Sequence, residues 1–599
     1  MAFSQPFAVL RDETAKVWWR FTRPVAVLAA YRVEEVLSRL RQAEALVCGQ
    51  GLYAVGFIAY EAAPAFDPAL TVVPPSARLP LVWLGLFPPP DVGEELPSAE
   101  ADFVLDAWEP SVTPDRYAEA IGQIKNQIAL GNTYQVNYTL RLRAPCRGDP
   151  LALFRRLWQA QPTPYAAYLE TDGFAVCSAS PELFFRYEDG RVTARPMKGT
   201  APRGRTLAED EAQAQALRTS PKNRAENVMI VDMIRNDLGR VATLGSVQVP
   251  HLFTTERYPT LWQMTSTVTA TTQVGVTDLL RALFPCASIT GAPKVSTMRI
   301  IAALEGEPRG VYTGAIGYLA PTVEGRCRAR FSVAIRTVVV DKVAGRAEYG
   351  VGSGIVWDAE TGDEYAECLL KARLLTVAPP AFALLESLLW TPEGGYWLLA
   401  GHLQRLSEAA TYFAVPFSNA AAQNALTELA ASLPPRPHKV RLLVARDGAV
   451  QVEAAPLDAP SSHPLRVALA AEPVDPADPF LYHKTTHRRL YEQALAARPG
   501  YDDVLLWNPR GELTESTRAN LVVQLDGRLY TPPVACGLLP GVLRAALLAA
   551  GILHERVLTP ADLARSEGVW LINSVRGWMP VEVEGYVCGA TQAPAGATL

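Results

Sequence analysis

Hydrophobic and polar positions repeat with two different periods along this chain. Over 32–48 apolar residues recur at helical spacing, whereas 51–60 and 81–86 read as strands. The Pro/Glu-rich stretch 88–100 reads as a loop inside a domain. From Thr113 the pattern changes: 114–130 predicts a helix and 133–142 a strand. Strand and helix candidates then interleave up to Thr376. Among them, 223–240 and 363–375 predict helices, and 331–337 predicts a strand with Arg336 at its exit. Val377-Ala378-Pro379-Pro380 breaks the pattern, because Pro-Pro stops a helix and stiffens a connector. The expected organisation is a first part over 1–376, a linker over 377–382, a second part of small α/β lobes over 383–590, and a tail over 591–599. No repeat with a period of about 20–50 residues is visible, which argues against a solenoid or propeller.

The length of 599 residues exceeds what one core can serve and suggests roughly three or four domains, or two large ones. The composition, 49% hydrophobic and 20% charged, is that of a globular protein. A net charge of −5 gives no reason to expect nucleic acid or an anionic membrane surface as a partner. Small anions would need local basic residues. No apolar run reaches the roughly 18–20 residues that span a bilayer. The opening Met1-Ala2-Phe3-Ser4-Gln5-Pro6 lacks the basic-then-apolar pattern of a secretory leader. The eight cysteines include no Cys-x-x-Cys pair, so neither a disulfide framework nor a cysteine zinc site is expected, and a cytoplasmic location fits.

Lys198 lies in Arg195-Pro196-Met197-Lys198-Gly199-Thr200-Ala201-Pro202-Arg203-Gly204, a Gly/Pro-stiffened segment after a strand-like run. A held, desolvated amine is a nucleophile or base near neutral pH; a solvated loop cation is the plain alternative. In the 223–240 helix, Glu226 shares a face with Ile230 and Met233. A carboxylate on an apolar stripe must be paired, protonated or metal-bound, unless it merely sits in the solvated first turn. The 363–375 helix puts Glu364, Glu367, Cys368 and Lys371 on one face. Such acids suit a hard divalent cation, and equally a salt-bridged surface helix. Gly350-Val351-Gly352-Ser353-Gly354 lies between strand-like runs, where backbone amides can approach an anion. No helix opens at its third glycine, so it is not a dinucleotide fingerprint. Arg336 is a candidate fork for a carboxylate, and Ser178-Ala179-Ser180-Pro181-Glu182 places Glu182 at a bend.

These residues, with Ser288-Ile289-Thr290-Gly291-Ala292-Pro293-Lys294 and Arg309-Gly310-Val311-Tyr312, occur in the order and spacing of the chorismate-utilising enzymes. About 110–375 resembles this family of anthranilate, isochorismate and aminodeoxychorismate synthases. The resemblance implies an α+β fold, a β-sandwich with flanking helices, and chorismate as substrate. Lys198 in the Gly-Thr-x-Pro-Arg-Gly motif is similar to the aminodeoxychorismate branch, where anthranilate synthases usually carry Ala. By resemblance, Lys198 adds to ring carbon 2 of chorismate and the 4-hydroxyl is expelled, with Glu182 as general acid/base; ammonia then enters at carbon 4. Glu226 and Glu367, with Glu364 close by, would hold magnesium on the ring carboxylate. Arg336, Lys371, Tyr312 and the amides of Gly352, Ser353 and Gly354 would hold the enolpyruvyl end, and Thr200 and Thr290 belong to the same substrate-binding set. Gln135 stands where isochorismate synthases carry a catalytic Lys, which argues against water as nucleophile. Asn223 departs from relatives that have an acid near the metal. No Gly-x-Cys-x-Gly elbow is present, so ammonia is expected from a separate glutamine amidotransferase subunit or as free ammonium.

In the second part, Tyr482-His483-Lys484-Thr485-Thr486 puts a lysine in a basic stretch, and Leu538-Leu539-Pro540-Gly541-Val542 precedes an Ala/Leu-rich helix. A helix N-terminus after a Pro-Gly turn suits a phosphate. Surface lysine and ordinary helix cap are the alternatives. With Leu513-Thr514-Glu515-Ser516-Thr517 and Asn573-Ser574-Val575-Arg576-Gly577, the order resembles pyridoxal-phosphate enzymes of the class IV aminotransferase fold, over about 383–585. The resemblance implies a two-lobed fold-type IV domain with Lys484 as the Schiff-base lysine and Glu515 on the pyridine nitrogen. Arg405, Asn520, Val542, Leu543 and Ser574 complete its implied pyridoxal 5'-phosphate site. Leu543 replaces a common Thr and loses one hydroxyl contact. Leu384-Leu385-Glu386-Ser387 looks like a tryptophan-binding motif of anthranilate synthases, but its position makes it a strand of this second part. A lyase behind a synthase would consume that synthase's product, so the expected activity is bifunctional: chorismate to 4-amino-4-deoxychorismate, then loss of pyruvate to give 4-aminobenzoate for folate. A fused branched-chain or D-amino-acid aminotransferase, an anthranilate synthase-like first domain, or a non-catalytic scaffold are the alternatives. A homodimer through the second domain stays open.

Overall fold

The computed structural model describes residues 7–322, 327–372, 375, 380–459, 463–586 and 594. Residues 377–379 of the expected linker, and the expected tail apart from residue 594, lie outside the described residues. The chain divides into two compact units: Met1–Pro202 with Ala214–Pro379, and Arg203–Gln213 with Pro380–Leu599.

Unit 1 is built on two antiparallel sheets. One runs from Gly291–Ala292 through Gln135–Gly148, Arg346–Ile355, Thr337–Asp341 and Phe174–Ser180 to Asp91–Gly93. The other runs from Met197–Pro202 through Leu261–Thr271, Leu183–Glu188 and Cys327–Val333 to Ala26–Ala30. They form a sandwich with helices on both outer faces. In Tyr53–Ile58, Val55 and Phe57 enter the core between the sheets, while Ala54 and Ile58 face a helix-covered core. In Phe7–Asp12, Ala8 and Leu10 point between the sheets, and Phe7 and Val9 point outward under other helices. Strands buried on both faces read as continuous apolar runs, not as alternation. The Val33–Gln50 helix buries Val36, Leu40, Ala43 and Val47, one stripe at helical spacing, and ends at Gly51 with φ 67°.

Four local readings change. The 331–337 strand is broken: Cys327–Val333 lies in one sheet and Thr337–Asp341 in the other, and Arg336 makes the switch with φ 51°. The glycine run does not separate two strands, because Arg346–Ile355 is one strand paired with Gln135–Gly148 over ten positions. Glycine has weak strand preference by itself, and this ladder with a distant partner overrides it. The helix expected over 223–240 begins two residues earlier: Pro221–Gly239 runs into Arg240, which stays right-handed at φ −70° and donates to the Asp237 and Leu238 carbonyls. Cys48 and Cys327, 279 residues apart, are paired as a disulfide with Cα atoms 5.7 Å apart, a long-range pairing that local cysteine spacing does not reveal.

Unit 2 has two lobes. In one, Leu384–Thr391, His438–Val444 and Val450–Pro456 form a small sheet packed on the helices Leu399–Phe413 and Asn419–Ser432 through Leu384, Leu388, Leu403, Leu406 and Val440. In the other, strands from Leu465–Leu469 to Gly577–Val583 make an eight-stranded sheet. An added pairing between Leu513–Ser516 and Asn520–Leu525 closes six of these strands into a ring around Val467, Leu505, Leu521 and Leu571. The 203–213 segment joins this unit because Tyr412 Oη donates to Gly204 O at 2.8 Å and Arg203 lies over the Tyr412 ring. Among the described residues no helix is long and apolar enough to cross a membrane.

Candidate functional site

In unit 1 two sheet switches lie side by side. The chain passes from Phe174–Ser180 to Leu183–Glu188 at Glu182, and from Cys327–Val333 to Thr337–Asp341 at Arg336. Ala179 N–H donates to Arg336 O at 3.0 Å and Val333 N–H to Glu182 O at 3.0 Å, which ties the two corners together. Their side chains line a cavity of about 360 Å³ shared with Lys198, Tyr312, Ser353 and Lys371. Burial pushes the Glu182 carboxyl up to about 7, against the pull of a Ser288 hydrogen bond and the Met197 N–H at 3.3 Å. Arg336 Nη1 is buried without a hydrogen-bond partner, and burial lowers the guanidinium pKa. An unpaired buried donor of this kind is costly unless a ligand fills it.

Lys198 lies in the Met197–Pro202 strand, and its Nζ is 3.8 Å from Glu226 Oε2. Burial lowers its pKa, with Glu226 opposing. The Nζ reaches the glycine strand: a Cβ on Gly354 would stand 2.2 Å from it and 2.4 Å from Gln135 Nε2. Gln135 is 2% exposed and both of its side-chain polar atoms lack partners. Beyond Tyr349 the glycine strand pairs, among the described residues, on the Gln135–Gly148 side only, so alternate peptide groups of Gly352, Ser353 and Gly354 remain for the cavity. Gly350 backs the Tyr312 ring, which a Cβ there would meet at 2.2 Å.

The three expected metal carboxylates line this cavity, each with a neighbour. Glu226 faces Lys198; Glu367 takes an ion pair from Lys371 at 2.7 Å, and Ser353 Oγ donates to Glu364. Burial raises the Glu364 pKa, whereas for Glu367 desolvation, which pulls upward, is outweighed by Lys371, Lys198 and Lys222, and the net shift is downward. Lys371 also donates to Gly352 O at 2.9 Å. Among the described residues no three His, Cys, Asp or Glu groups converge on a metal position. Thr200 lines the cavity and accepts from Gln263 Nε2 at 3.0 Å. Thr290 is fully buried, and its hydroxyl bonds the Cys286 and Ala287 carbonyls, so it braces the short Ala287–Ile289 turn instead of facing the cavity. Behind Tyr312 is a network that sequence reading missed. Arg309 donates to both oxygens of Glu305 at 2.9 and 2.7 Å, Thr139 caps Glu305, and Arg141 lies 5.4 Å from the Tyr312 ring centre. The motif Arg309-Gly310-Val311-Tyr312 carried it, but Glu305 gave no separate signal.

In unit 2, burial first and Arg405 second lower the Lys484 pKa to about 8. Burial pushes Glu515 up to about 8, although Leu539 N–H donates to it at 3.1 Å and Tyr491 Oη at 3.0 Å. Asn520 Nδ2 reaches Glu515 at 3.3 Å and Leu539 O at 2.9 Å, so its amide braces the glutamate. Val542 and Leu543 open the Val542–Ala549 helix; Ser574 is buried just after the Gly568–Asn573 strand. Arg405 Nη1 donates at 3.0 Å to Pro540 O, on the turn before that helix. Tyr491 and Glu386 were missed, because their contacts cross between elements with no local pattern.

Residues 383–583 match the model of amino-transferase class IV. An aminodeoxychorismate synthase of Streptomyces pristinaespiralis is 46% identical over 266 residues, 44% of this chain and 36% of that protein. Aminodeoxychorismate synthase component 1 of Klebsiella aerogenes is 42% identical over 295 residues, 49% of this chain and 62% of that protein. The chain thus spans between about a third and three fifths of these relatives' own length. Anthranilate synthase component I from Streptococcus pneumoniae TIGR4 shares the fold, with a TM-score of 0.52 and 24% identity, over 62% of this chain and 92% of that one. Residues 5–377 match the model of the chorismate binding enzymes, and the chain belongs to that family.

Proposed function

We propose that the chain makes 4-aminobenzoate from chorismate and ammonia at two sites. The observation that carries the first step is the grouping, in one cavity, of a desolvated Lys198, a glutamate that stays protonated up to about pH 7, and an Arg336 whose Nη1 has no hydrogen-bond partner. Arg336 offers its free N–H to a substrate carboxylate. Lys198 Nζ bonds to ring carbon 2 as both ring double bonds shift and the carbon 4 hydroxyl leaves. Glu182 gives that hydroxyl its proton, so water departs. Ammonia then bonds at carbon 4, both double bonds shift back, and Lys198 leaves from carbon 2. The net change is chorismate plus ammonia to 4-amino-4-deoxychorismate plus water. Relatives named component 1 support a separate amidotransferase as the ammonia source.

Magnesium takes one or two carboxylates, waters and an anionic substrate, so carboxylates along one cavity wall suit it without a preformed cluster. Glu226 and Glu367 would hold the ion, with Glu364 beside them, and its charge would offset the ring carboxylate.

The donor set of unit 2 fits pyridoxal 5'-phosphate: a buried amine with a lowered pKa, a buried carboxyl, and an arginine tied to a helix-opening turn. The cofactor, when bound, supplies an electron sink. Val542 and Leu543 amides with Arg405 and Ser574 would hold its phosphate, and Glu515 would keep a proton on its ring nitrogen. Lys484 Nζ takes the proton from the ring carbon that bears the amino group. The carbon 3–oxygen bond breaks, the enolpyruvate takes up that proton and departs as pyruvate, and the ring becomes aromatic.

Product analysis tests both halves with chorismate, ammonium, magnesium and pyridoxal phosphate. The wild type is expected to yield 4-aminobenzoate and pyruvate in equal amounts. Lys484→Ala should accumulate 4-amino-4-deoxychorismate, and Lys198→Ala should stop amination at carbon 4. Anthranilate as sole product refutes the first assignment. Amino-group transfer to a 2-oxo acid without pyruvate refutes the second.

A further inference from the structure

Glu386 belongs to the Leu384–Thr391 strand and is 1% exposed, yet no step above uses it. Its carboxylate accepts from Arg405 Nε at 2.8 Å and Nη2 at 2.7 Å, a two-pronged pair that fixes the guanidinium plane. His402 Nδ1 stands 2.7 Å from the same carboxylate. The pairing with Arg405 and His402 outweighs burial and holds the Glu386 pKa down at about 2, so the carboxylate can only accept and Nδ1 must carry the proton. His402 and Arg405 both come from the Leu399–Phe413 helix, three residues apart, which is why one acid reaches both. The third arm of Arg405, Nη1, is left for Pro540 O, at the turn before Val542. That helix also fits closely at the same place: a Cβ on Gly401 would stand 2.8 Å from Val542 Cγ1.

The same short strand grips the lysine. Leu385 N–H donates to Lys484 O at 3.0 Å, and Leu384 forms a bridge with Thr485. The next residue, Glu386, turns its side chain to Arg405. One strand therefore sets both the backbone of the amine and the plane of the arginine.

We infer that Glu386 is a positioning residue, which locks Arg405 in the orientation that receives the phosphate of pyridoxal phosphate while its strand fixes Lys484 at the aldehyde end. This rests on reading unit 2 as a pyridoxal-phosphate site. Glu386 touches neither cofactor nor substrate; it acts through Arg405.

The test uses the full chain, stripped of cofactor and titrated with pyridoxal phosphate and, separately, with pyridoxal, which has the aldehyde but no phosphate. Binding is read from the visible absorbance of the lysine-bound form. Replacing the charged acceptor by an amide in Glu386→Gln is expected to weaken pyridoxal phosphate binding roughly tenfold to a hundredfold, the range for lost hydrogen bonds to charged groups. Pyridoxal binding should stay as in the wild type. Arg405→Met should weaken pyridoxal phosphate binding, and adding Glu386→Gln to it should cost nothing further. Unchanged pyridoxal phosphate affinity in Glu386→Gln overturns the inference. So does equal loss for both ligands, which marks general damage to the fold, or an additive double variant. A wild type that binds neither ligand instead overturns the pyridoxal-phosphate reading of unit 2.

Discussion

Glu182 offers a quantity that can be measured without turnover. Its carboxyl is 2% exposed and burial raises its pKa from 4.5 to about 7. The unfolded chain ionises this group at the ordinary value, so the folded state pays nothing below pH 4.5 and a growing penalty as pH rises to about 7. The gap between 4.5 and about 7, at about 1.4 kcal/mol per pH unit, amounts to about 3 kcal/mol of stability lost at pH 8. Glu182→Gln keeps an acceptor for the Met197 N–H and removes the charge. Hydrogen exchange followed on peptides from Leu183–Glu188 and Met197–Pro202 reports unit 1 alone, in a protein whose global unfolding need not be two-state. The variant should be more stable than wild type by about 3 kcal/mol at pH 8, and the two should converge near pH 4.5. A difference that stays constant between pH 4.5 and 8 would refute the raised pKa and with it the case for Glu182 as the proton donor.

Three further outcomes follow from the geometry. Gly350→Ala puts a Cβ 2.2 Å from the Tyr312 ring, so the ring must move; overpacking of about 1–3 kcal/mol should appear in the unfolding midpoint, together with a raised chorismate KM. Arg309→Met removes the two-pronged donor to the buried Glu305 carboxylate, which keeps Thr139 and, at 3.8 Å, Arg141; it should cost about 2–3 kcal/mol in denaturant unfolding, whereas a loss below about 0.5 kcal/mol would show the network to be slack. With its pKa at about 8, the Lys484 amine should gain reactivity toward pyridoxal phosphate as pH rises through about 8 and then level off; a midpoint near 10.5, seen in visible absorbance, would contradict its burial.

Much of the site was legible because its residues sit in local motifs. Lys198 with its Gly/Pro neighbours, Glu226 on a helix and the 361–372 acid face each announce themselves within a dozen residues. What sequence reading lost depends on distant partners. The glycine run read as a break between two strands because glycine carries no pattern of its own, and its pairing partner lies some two hundred residues earlier. Arg336 looked like the end of a strand, yet it is the point where the chain changes sheet, and such a switch needs both sheets to be visible. Thr290 was expected to face substrate, but its hydroxyl bonds the Cys286 and Ala287 carbonyls of the turn just before it. The inclusion of 203–213 in unit 2 rests on the Tyr412 and Arg203 contacts, which no composition shift marks. Glu386 was read only as part of a strand; its charge finds Arg405 and His402 one helix later.

The opening strand of unit 2 has a consequence for how the gene can be divided. Ala383 N–H donates to Thr486 Oγ1 at 2.9 Å and Thr486 N–H returns a bond to Ala383 O at 2.9 Å, so pairing with the lysine segment begins at the very first residues after the junction. The margin of the module and the seat of its reactive amine are the same few peptides. A split gene that starts the second product even three residues later, beyond Leu385, would deliver Lys484 without the strand that holds it. A cut that keeps this strand with Lys484 must fall upstream of Ala383, and even there it takes the 203–213 segment, which Tyr412 holds, away from unit 2.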